Sequence, residues 1–280
     1  MTRAAHPSEY ELAASLMPGP DWKSARVEEG GQFHLVLIAP GEAVLRISRT
    51  PEAAKDMQRR VDLVQALETS FTFELPTALS EVFHGDDFSA VVQRYIPGRA
   101  HPPHSGEAST LRGIIEELAS VNLAKITGLL AEPFAFAGPW NEEKTQATLR
   151  LLPPELANEA LLISQTVATF ADVTPSLVHG DLAGHNLHWD DGALIGILDW
   201  DLAAAWDPAL NTAYLSMWHG SELIEQLAPT PDEAWRARVW LGAMGLESLY
   251  DASLRPQRDL TTLLEKIRPR LLAAATAARG

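Results

Sequence analysis

Three oxygen-bearing side chains in one short segment hold the chemistry that this sequence can perform. The segment from Val178 to Asp201 reads VHGDLAGHNLHWDDGALIGILDWD; Asn186 follows Asp181 by five positions, and Asp199 comes thirteen positions later. Carboxylate and amide oxygens are ligands that Mg²⁺ prefers, and Mg²⁺ in turn binds nucleotide phosphates. The segment therefore predicts a site that holds a metal–nucleotide complex near a hydroxyl acceptor.

Short strands and loops are expected to position these side chains. Asp181 lies on a loop after a predicted strand, and Asp199 ends the apolar run from Ala193 to Leu198. Residues 186–189 and this run flank Asp190-Asp191-Gly192, a sequence typical of a tight turn. The resulting hairpin is predicted to return Asp199 next to the loop of Asp181.

Phosphoryl transfer needs little covalent chemistry from a protein. It requires metal and positive charge on the phosphates and a carboxylate beside the attacking hydroxyl. Asp181 is the natural carboxylate for that task, and Asn186 and Asp199 are the natural metal ligands.

Composition limits the classes of protein to consider. The chain has 280 residues, 46% of them apolar and 21% charged, and it contains no cysteine. Disulfides, thiolate metal sites and a cysteine nucleophile are therefore excluded. No apolar run is long enough for a transmembrane helix, and the N-terminus has acidic residues where a signal peptide needs an apolar stretch, so the sequence predicts a cytoplasmic protein.

The net charge of −15 argues against binding a nucleic-acid backbone, which requires a basic patch. Two interpretations of the acidic balance remain open. It is compatible with a cationic small substrate, and it also keeps a protein soluble without any role in binding.

The coarse organisation is a strand-rich first third and a helix-rich remainder. The composition changes after Ile96-Pro97-Gly98, where a polar, Pro-rich connector begins. Predicted strands lie in 25–38, 43–48, 79–83 and 89–95, and predicted helices in 51–67 (with Thr50 as N-cap), 107–130, 142–151, 154–170 and several segments after 208.

The motif HGDLAGHN followed by ILDWD resembles the aminoglycoside and macrolide phosphotransferase family. The matching residues are His179, Gly180, Asp181, Leu182, Asn186 and Asp199, and Trp206-Asp207-Pro208 resembles that family's downstream Asp-Pro turn. The resemblance implies an α+β, bilobal protein-kinase-like fold. Residues 1–98 would form a nucleotide-binding lobe, and 99–280 a helical lobe for catalysis and acceptor binding.

The function implied by the resemblance is Mg²⁺-dependent transfer of the γ-phosphoryl group of ATP or GTP. The acceptor would be a hydroxyl of an antibiotic such as an aminoglycoside or macrolide, as in antibiotic resistance. The partners implied are this small molecule and no nucleic acid or membrane, with the protein a monomer or weak dimer.

The same resemblance assigns roles to individual residues. Asp181 would be the catalytic base or hydroxyl orienter, and Asn186 and Asp199 the Mg²⁺ ligands. Arg46 occupies the place of the strand lysine that contacts the phosphates. The hinge that meets the nucleotide base would include Gln93, Tyr95 and Ile96, and the loop at Gly30 and Gly31 would lie over the phosphates.

The expected partner of Arg46 is missing. The family has a glutamate on the helix after this strand, but alignment puts Arg60 at that position. Glu52 or Asp56, near the start of the helix, could substitute.

Other interpretations remain open. The cluster of His179, Asp181, His185 and His188 suggests a Zn²⁺ hydrolase, although the HExxH spacing is absent. A nucleotide-binding pseudokinase with a regulatory role is compatible with the missing glutamate. Several residues also have plain structural readings: Arg46 paired with a surface carboxylate, His179 bonded to backbone, Asp201 in a turn and Asp207 as a helix N-cap.

Overall fold

The structure is a computed structural model that describes residues 2–31, 33–133, 140–255 and 259–280. Its contacts divide the chain into two compact units. The first unit is Met1–His101 with His185–Trp200, and the second is Pro102–Gly184 with Asp201–Gly280. The division at residue 98 into two functional lobes stays a prediction.

The first unit is built on a six-stranded antiparallel sheet in the order β1-β2-β3-β4-β6-β5. The strands are β1 (Thr2–Ala4), β2 (Arg26–Glu28), β3 (His34–Ala39), β4 (Ala43–Ser48), β5 (Phe83–His84) and β6 (Ser89–Arg94). Helix α1 (Pro7–Leu16) packs at this sheet, whose buried core includes Leu37, Leu45 and Val92. β3 and β4 form the predicted hairpin, with Gly41 at φ +79° in its turn.

Helix α2 (Pro51–Leu67) begins where the sequence predicts. The hydroxyl of Thr50 accepts a hydrogen bond of 3.1 Å from the backbone N–H of Ala53, and Pro51 takes the first helical position, where its missing N–H costs nothing. Met57, Val64 and Leu67 form part of the buried face, at the spacing of an amphipathic helix.

One predicted strand is much shorter in the structure. Residues 79–82 are not part of a ladder, and β5 contains only Phe83 and His84. The hydroxyl of Ser80 accepts a hydrogen bond of 3.0 Å from the backbone N–H of Val92. In regular strand pairing, a backbone carbonyl would accept this N–H instead. This side-chain bond competes with regular strand pairing.

The first unit also contains the hairpin of β8 (Leu187–Asp190) and β9 (Ala193–Ile197). Its two-residue loop has Asp191 at φ +45° and Gly192 at φ +80°, the left-handed pair that matches the twist of a hairpin. The structure therefore confirms the hairpin that was predicted from Asp190-Asp191-Gly192.

The second unit is mainly helical. Its helices are α3 (Ala108–Ser120), α4 (Glu142–Leu149), α5 (Pro154–Ala168), α6 (Ala209–His219), α7 (Ile224–Leu227), α8 (Pro231–Ser253) and α9 (Leu260–Ala278), and its two paired strands are β7 (Ser176–Val178) and β10 (Ala204–Trp206). α8 packs along α9 and also contacts α5 and α6. Of the helices in the described ranges, none combines the length and hydropathy that crossing a membrane requires.

The helix predicted for residues 107–130 is wrong beyond Ser120. Val121 is extended (φ −67°, ψ 129°), and the side chain of Asn122 accepts a hydrogen bond of 3.1 Å from the N–H of Ala124. Two short 3₁₀ turns, Leu123–Lys125 and Thr127–Leu129, follow instead. An asparagine that bonds its own backbone offers the chain an alternative to helix, and here the alternative wins.

Candidate active site

The β8–β9 hairpin brings two of the predicted metal ligands together. Asn186 is buried, and its backbone oxygen accepts the N–H of Leu198 at 2.8 Å. This bond continues the register in which Leu187 pairs with Ile197, so Asn186 is aligned with the end of β9, one residue before Asp199.

Asp199 has an unusual backbone conformation. Its φ is +59°, the left-handed region, which a non-glycine residue enters at a cost of about 1–3 kcal/mol. Aspartate tolerates this region better than most residues. The turn exposes almost half of its carboxylate side chain, which lies 3.2 Å from a guanidinium nitrogen of Arg46.

Arg46, on β4, contacts a second group besides Asp199. Its Nη2 lies 2.9 Å from Nδ1 of buried His34, and Nη1 of Arg60 lies 3.2 Å from Nε2 of the same ring. A neutral imidazole has one donor and one acceptor nitrogen, whereas guanidinium groups only donate. In either neutral tautomer, therefore, only one of the two arginines donates a hydrogen bond to the ring. The ring lies between two cationic groups.

Asp199 is thus a carboxylate that pairs with Arg46, and neither residue suggested from the sequence takes this role. Asp56 lies 3.1 Å from Arg59 and 3.9 Å from Arg60, and Glu52 forms no ion pair within the described ranges. Arg60 occupies the helix position where the sequence comparison expected an acid.

The glycine loop after β2 is held by an arginine. Nη1 of Arg49 donates to the backbone oxygens of Glu29 and Gly31 at 3.0 and 2.9 Å. A Cβ at Gly31 would lie 2.6 Å from the oxygen of His34, so the close approach requires glycine, whereas Gly30 lies in open space.

The predicted hinge segment is bound to β8 near its end, at Ile96 and at Arg99 just after it. Gln93 and Ile96 are buried, and the carbonyl oxygen of Ile96 accepts a hydrogen bond from Nδ1 of His188 at 2.9 Å. Arg99 and Trp189 exchange two backbone bonds of 3.1 and 2.9 Å. This is an ordered segment whose backbone is fixed from one side.

The loop that bears Asp181 belongs to the second unit and is held from α6. Oδ1 of Asn211 accepts the backbone N–H of His179 at 3.1 Å, and its Nδ2 donates to the carbonyl oxygen of Leu177 at 2.9 Å. His179 is fully buried, and its Nδ1 accepts the N–H of Asp181 at 3.2 Å, the predicted bond from ring to backbone. The Asp181 side chain is only partly buried.

Gly180, between these residues, must be a glycine. Its φ is +83°, and a Cβ there would collide with the backbone oxygen of Leu202. The HGD triplet is therefore a tightly packed turn that presents the next side chain.

Asp207 has a larger structural role than helix capping. Its carboxylate accepts Nε of Arg236 at 3.0 and 3.1 Å and Nε1 of Trp240 at 2.8 Å, and both charged groups are buried. It also accepts the N–H of Ala209 at 3.0 Å, but the N-cap position of α6 is Pro208. The assigned N-cap thus lies one residue after the predicted one, and the Asp207 carboxylate bonds both the start of α6 and α8.

The zinc alternative finds no support in the geometry. In residues 2–31, 33–133, 140–255 and 259–280, no three histidine, aspartate or glutamate side chains converge on a common point that could hold a metal ion. The four residues of the predicted His/Asp cluster therefore do not form such a group.

Comparison with known proteins decides the family. A sequence model of the phosphotransferase enzyme family matches residues 27–246, well over half of the chain. The chain belongs to the phosphotransferase enzyme family. It is therefore an enzyme, a phosphotransferase that uses an alcohol group as acceptor.

Relatives of this phosphotransferase include viomycin phosphotransferase of Streptomyces vinaceus. That protein is 30% identical over 237 residues, which cover 76% of this chain and 80% of the relative. The GDP complex of aminoglycoside 2′-phosphotransferase-IIIa has a TM-score of 0.75 at 16% identity, covering 94% of this chain and 97% of the other. A macrolide 2′-phosphotransferase from Brachybacterium faecium has a TM-score of 0.64 at 18% identity, covering 95% and 98%.

At these identities the solved structures show the fold alone. The predicted α+β, protein-kinase-like fold is confirmed, with an antiparallel sheet in the first unit and helices in the second. The sequence missed His34 and Asn211, and it suggested His188 only as part of a zinc cluster and not as the residue that bonds Ile96. His34 had a detectable signal, since it lies on β3 diagonally across from Arg46 on β4.

Proposed function

We propose that this phosphotransferase transfers the γ-phosphoryl group of ATP or GTP, with Mg²⁺, to a hydroxyl of an antibiotic-like small molecule. One observation carries the proposal. The hairpin register aligns buried Asn186 with the end of β9, and Asp199 follows there in a left-handed turn, 3.2 Å from Arg46. A strained acid next to a cation is typical of functional sites.

Asn186 and Asp199 fit a magnesium ion by their chemistry. Both offer oxygen atoms, which this hard cation prefers, and one carboxylate with one amide leaves positions for phosphate oxygens and water. When bound, the ion neutralises charge on the terminal phosphates. Arg46, which now pairs with Asp199, would add positive charge beside the same phosphates.

Asp181 would act on the acceptor. The acceptor oxygen attacks the γ-phosphorus, the bond from that phosphorus to the β–γ bridging oxygen breaks, and nucleoside diphosphate leaves. The proton of the hydroxyl passes to the Asp181 carboxylate. The bonds to His179 and Asn211 support this role because they fix the backbone from which the carboxylate projects.

The nucleotide base would meet the segment of Gln93, Tyr95 and Ile96, and the loop of Gly30 and Gly31 would cover the phosphates. In support, the hinge segment is fixed by its bonds to β8, and the glycine loop is held by Arg49. Structural neighbours bind guanine and adenine nucleotides: one is a GDP complex, and another holds ATP with streptomycin. Both nucleotides are therefore candidates.

The acceptor class rests on the relatives. A relative is named for viomycin, and structural neighbours were determined with kanamycin and with gentamicin. The deciding experiment measures nucleotide consumption with viomycin, kanamycin, a macrolide and a simple amino alcohol, each with ATP and with GTP. We expect turnover with at least one antibiotic and a clear preference for one nucleotide.

Two variants test the residue roles. Asp181→Asn should lower kcat by about 10²–10⁴-fold, because proton transfer loses its acceptor, while Mg²⁺–nucleotide still raises Tm. Asp199→Asn should weaken that rise in Tm, since a metal ligand loses its charge. Asp191→Asn, in the exposed turn of the same hairpin, is the matched control and should behave as wild type.

Wild-type turnover in Asp181→Asn would remove the role of this carboxylate. The position of Arg60 favours one alternative, a nucleotide-binding pseudokinase, because the acid expected there is replaced by a cation. Stabilisation by nucleotide without turnover on any acceptor would establish that alternative.

A further inference from the structure

The second unit contains a cavity of about 760 Å³ walled by α4, α5, β10, α6 and α8. This volume lies in the range of small-molecule sites. Five aromatic side chains line it: Trp140, Phe170, Trp206, Tyr214 and Trp240. Trp240 packs against two of the others, with ring centroids 5.3 Å from Trp206 and 5.9 Å from Phe170, so part of the wall is a rigid aromatic surface.

One ionisable group in this wall has no partner among the residues that the structure describes. Glu247, on α8, lines the cavity and is partly exposed, yet within the described ranges it forms no hydrogen bond and no ion pair. Burial, with a smaller contribution from Asp251, raises the pKa of Glu247 to about 8, and the charge of Lys144 opposes this rise. An unpaired carboxylate in apolar surroundings is costly, so the group needs either a proton or a cation.

One wall of the cavity, α6, is also the helix that holds the loop that bears Asp181. Leu210 and Tyr214 of α6 line it, and Asn211, between them on the same helix, bonds the backbone of His179. The phenol of Tyr214 lies near enough to both acids that the charges of Glu247 and Asp181 add to the effect of burial in raising its pKa.

The second wall next to that loop is β10. It contributes Ala205 and Trp206 to the cavity and pairs with β7, the strand that leads into the HGD turn. Two walls of the cavity, α6 and β10, are therefore elements that also position the segment that presents Asp181.

The charges of the residues that line the cavity indicate which ligand it can bind. Among the described residues around the cavity are three acids (Glu142, Asp207 and Glu247) and neither lysine nor arginine. Asp207 is already neutralised by Arg236. A phosphate or carboxylate would find no counter-charge here, whereas a cation would find Glu247 and the faces of aromatic rings.

We propose that this cavity is the acceptor site and that it recognises a single cationic group, an ammonium or guanidinium, through an ion pair with Glu247 against the aromatic wall. The inference rests on the proposed function in that the acceptor's hydroxyl is turned to Asp181. The substrate class is thus a hydroxyl compound with an amine or guanidine beside an apolar or planar body. Glu247 is a specificity-determining residue that takes no part in the chemical step.

The first test measures binding without nucleotide. Benzamidine, a planar cation, and benzamide, its neutral counterpart, are titrated while the fluorescence of the tryptophans in the wall is followed. Wild type should bind benzamidine better than benzamide. Glu247→Gln should weaken benzamidine binding about tenfold or more and leave benzamide unchanged, because a charge-assisted bond is lost.

Two further variants complete the design. Glu265→Gln, exposed on α9, is the matched control and should leave both affinities unchanged. Ala243→Phe fills the cavity from α8 without altering its charge, so it should weaken both ligands. Equal affinity of wild type and Glu247→Gln for benzamidine would overturn the proposal.

The second test separates this proposal from the proposed function. With a cationic acceptor that is turned over, Glu247→Gln should raise the acceptor KM about tenfold or more and leave kcat and the nucleotide KM near wild type. Asp181→Asn should lose turnover but keep benzamidine affinity.

An unchanged acceptor KM in Glu247→Gln, while Asp181→Asn is inactive, would refute the acceptor site and leave the phosphotransfer proposal standing. Benzamidine binding that depends on Glu247, without turnover of any acceptor, would contradict the proposed function instead.

Discussion

Asn211 makes two hydrogen bonds that require both halves of its amide. The oxygen accepts from the N–H of His179, and the nitrogen donates to the oxygen of Leu177, so one side chain links the end of β7 to α6. Both backbone groups lie in buried residues and water cannot easily replace the amide. The backbone of the HGD turn therefore depends on this side chain for its position.

Asn211→Ala should destabilise the protein by about 2–4 kcal/mol, because two buried backbone groups lose their partners. It should also lower kcat while leaving the nucleotide KM near wild type, since Asp181 loses its fixed backbone. Urea unfolding and steady-state kinetics measure the two effects. Ser216→Ala, which removes a hydroxyl bond within the same buried helix, is the control and should have a smaller effect on kcat. An unchanged kcat in Asn211→Ala would mean that the turn holds its position by packing alone.

Residue type and spacing predicted the motif well but not its surroundings. Asn186 and Asp199 could be placed together because a hairpin of known turn type joins them. Glu247 could not be recognised, since on α8 it is one of many polar residues, and only the cavity around it gives it a role. Chemistry that lies within one short segment is readable from sequence, whereas chemistry that packing assembles is not.

At the scale of elements, Asp207 joins β10 and α6 to α8. Arg236 and Trp240, one turn apart on α8, both donate to its buried carboxylate. The pair is almost fully withdrawn from solvent. Arg236 also bonds Asp232, so removing Asp207 leaves the arginine a partner, whereas removing Arg236 leaves the buried Asp207 carboxylate uncompensated.

Arg236→Met should therefore destabilise the protein by about 3–5 kcal/mol. The double variant Asp207→Asn with Arg236→Met should be more stable than the single variant, because it removes the orphaned charge. Arg238→Met, two positions along the helix, breaks only the more exposed pair with Glu225 and should cost less than about 1 kcal/mol. Denaturant midpoints measure all three. Equal stability of Arg236→Met and Arg238→Met would show that the buried pair contributes nothing specific.

Helices and strands were predicted correctly where the sequence signals that define them lie within the element itself. Helix α2 was correct because its cap and its apolar face are local. The helix predicted for 107–130 failed because the asparagine at 122 turns the chain after one extended residue, a signal weaker than the apolar pattern around it. The order of strands in the first sheet, with β6 placed beside β4, depends on contacts that no local pattern contains.

At the scale of the whole molecule, the proposed site gives one part of the negative net charge a specific role. A net charge of −15 on the sequence is compatible with a cationic substrate or with solubility alone. The proposed site uses one of these acids in a specific way: Glu247 is protonated near neutral pH when the cavity is empty and charged when a cation is present. This exchange couples substrate binding, and also folding, to pH.

Few charged groups surround Glu247 within the described part of the chain. Asp251 lies one turn along α8, Lys144 faces it from α4, and Tyr214 faces it from α6. On the other helices packed against α8, Glu155 of α5 pairs with Arg268 of α9, and Glu159 of α5 pairs with Arg279 after α9. The raised pKa of Glu247 thus results mainly from burial, which persists across the pH range in which the protein is folded.

The pH dependence of stability tests this directly. The pKa of Glu247 is about 8 in the folded protein and near the ordinary 4.5 in the unfolded chain, so between these values the unfolded chain releases a proton that the folded protein keeps. Its contribution to stability is fully present below pH 4.5 and is lost as the pH rises to about 8.

Glu247→Gln removes this loss. Its free energy of unfolding should exceed that of wild type by a margin that grows from pH 5 to pH 9, reaching about 2–4 kcal/mol. Glu233, whose pKa is also raised by burial, is present in both proteins and cancels in the difference. Urea midpoints at five pH values give the margin, with Glu265→Gln as the control that should show none. A margin that stays constant with pH would mean that Glu247 is ionised in the empty cavity.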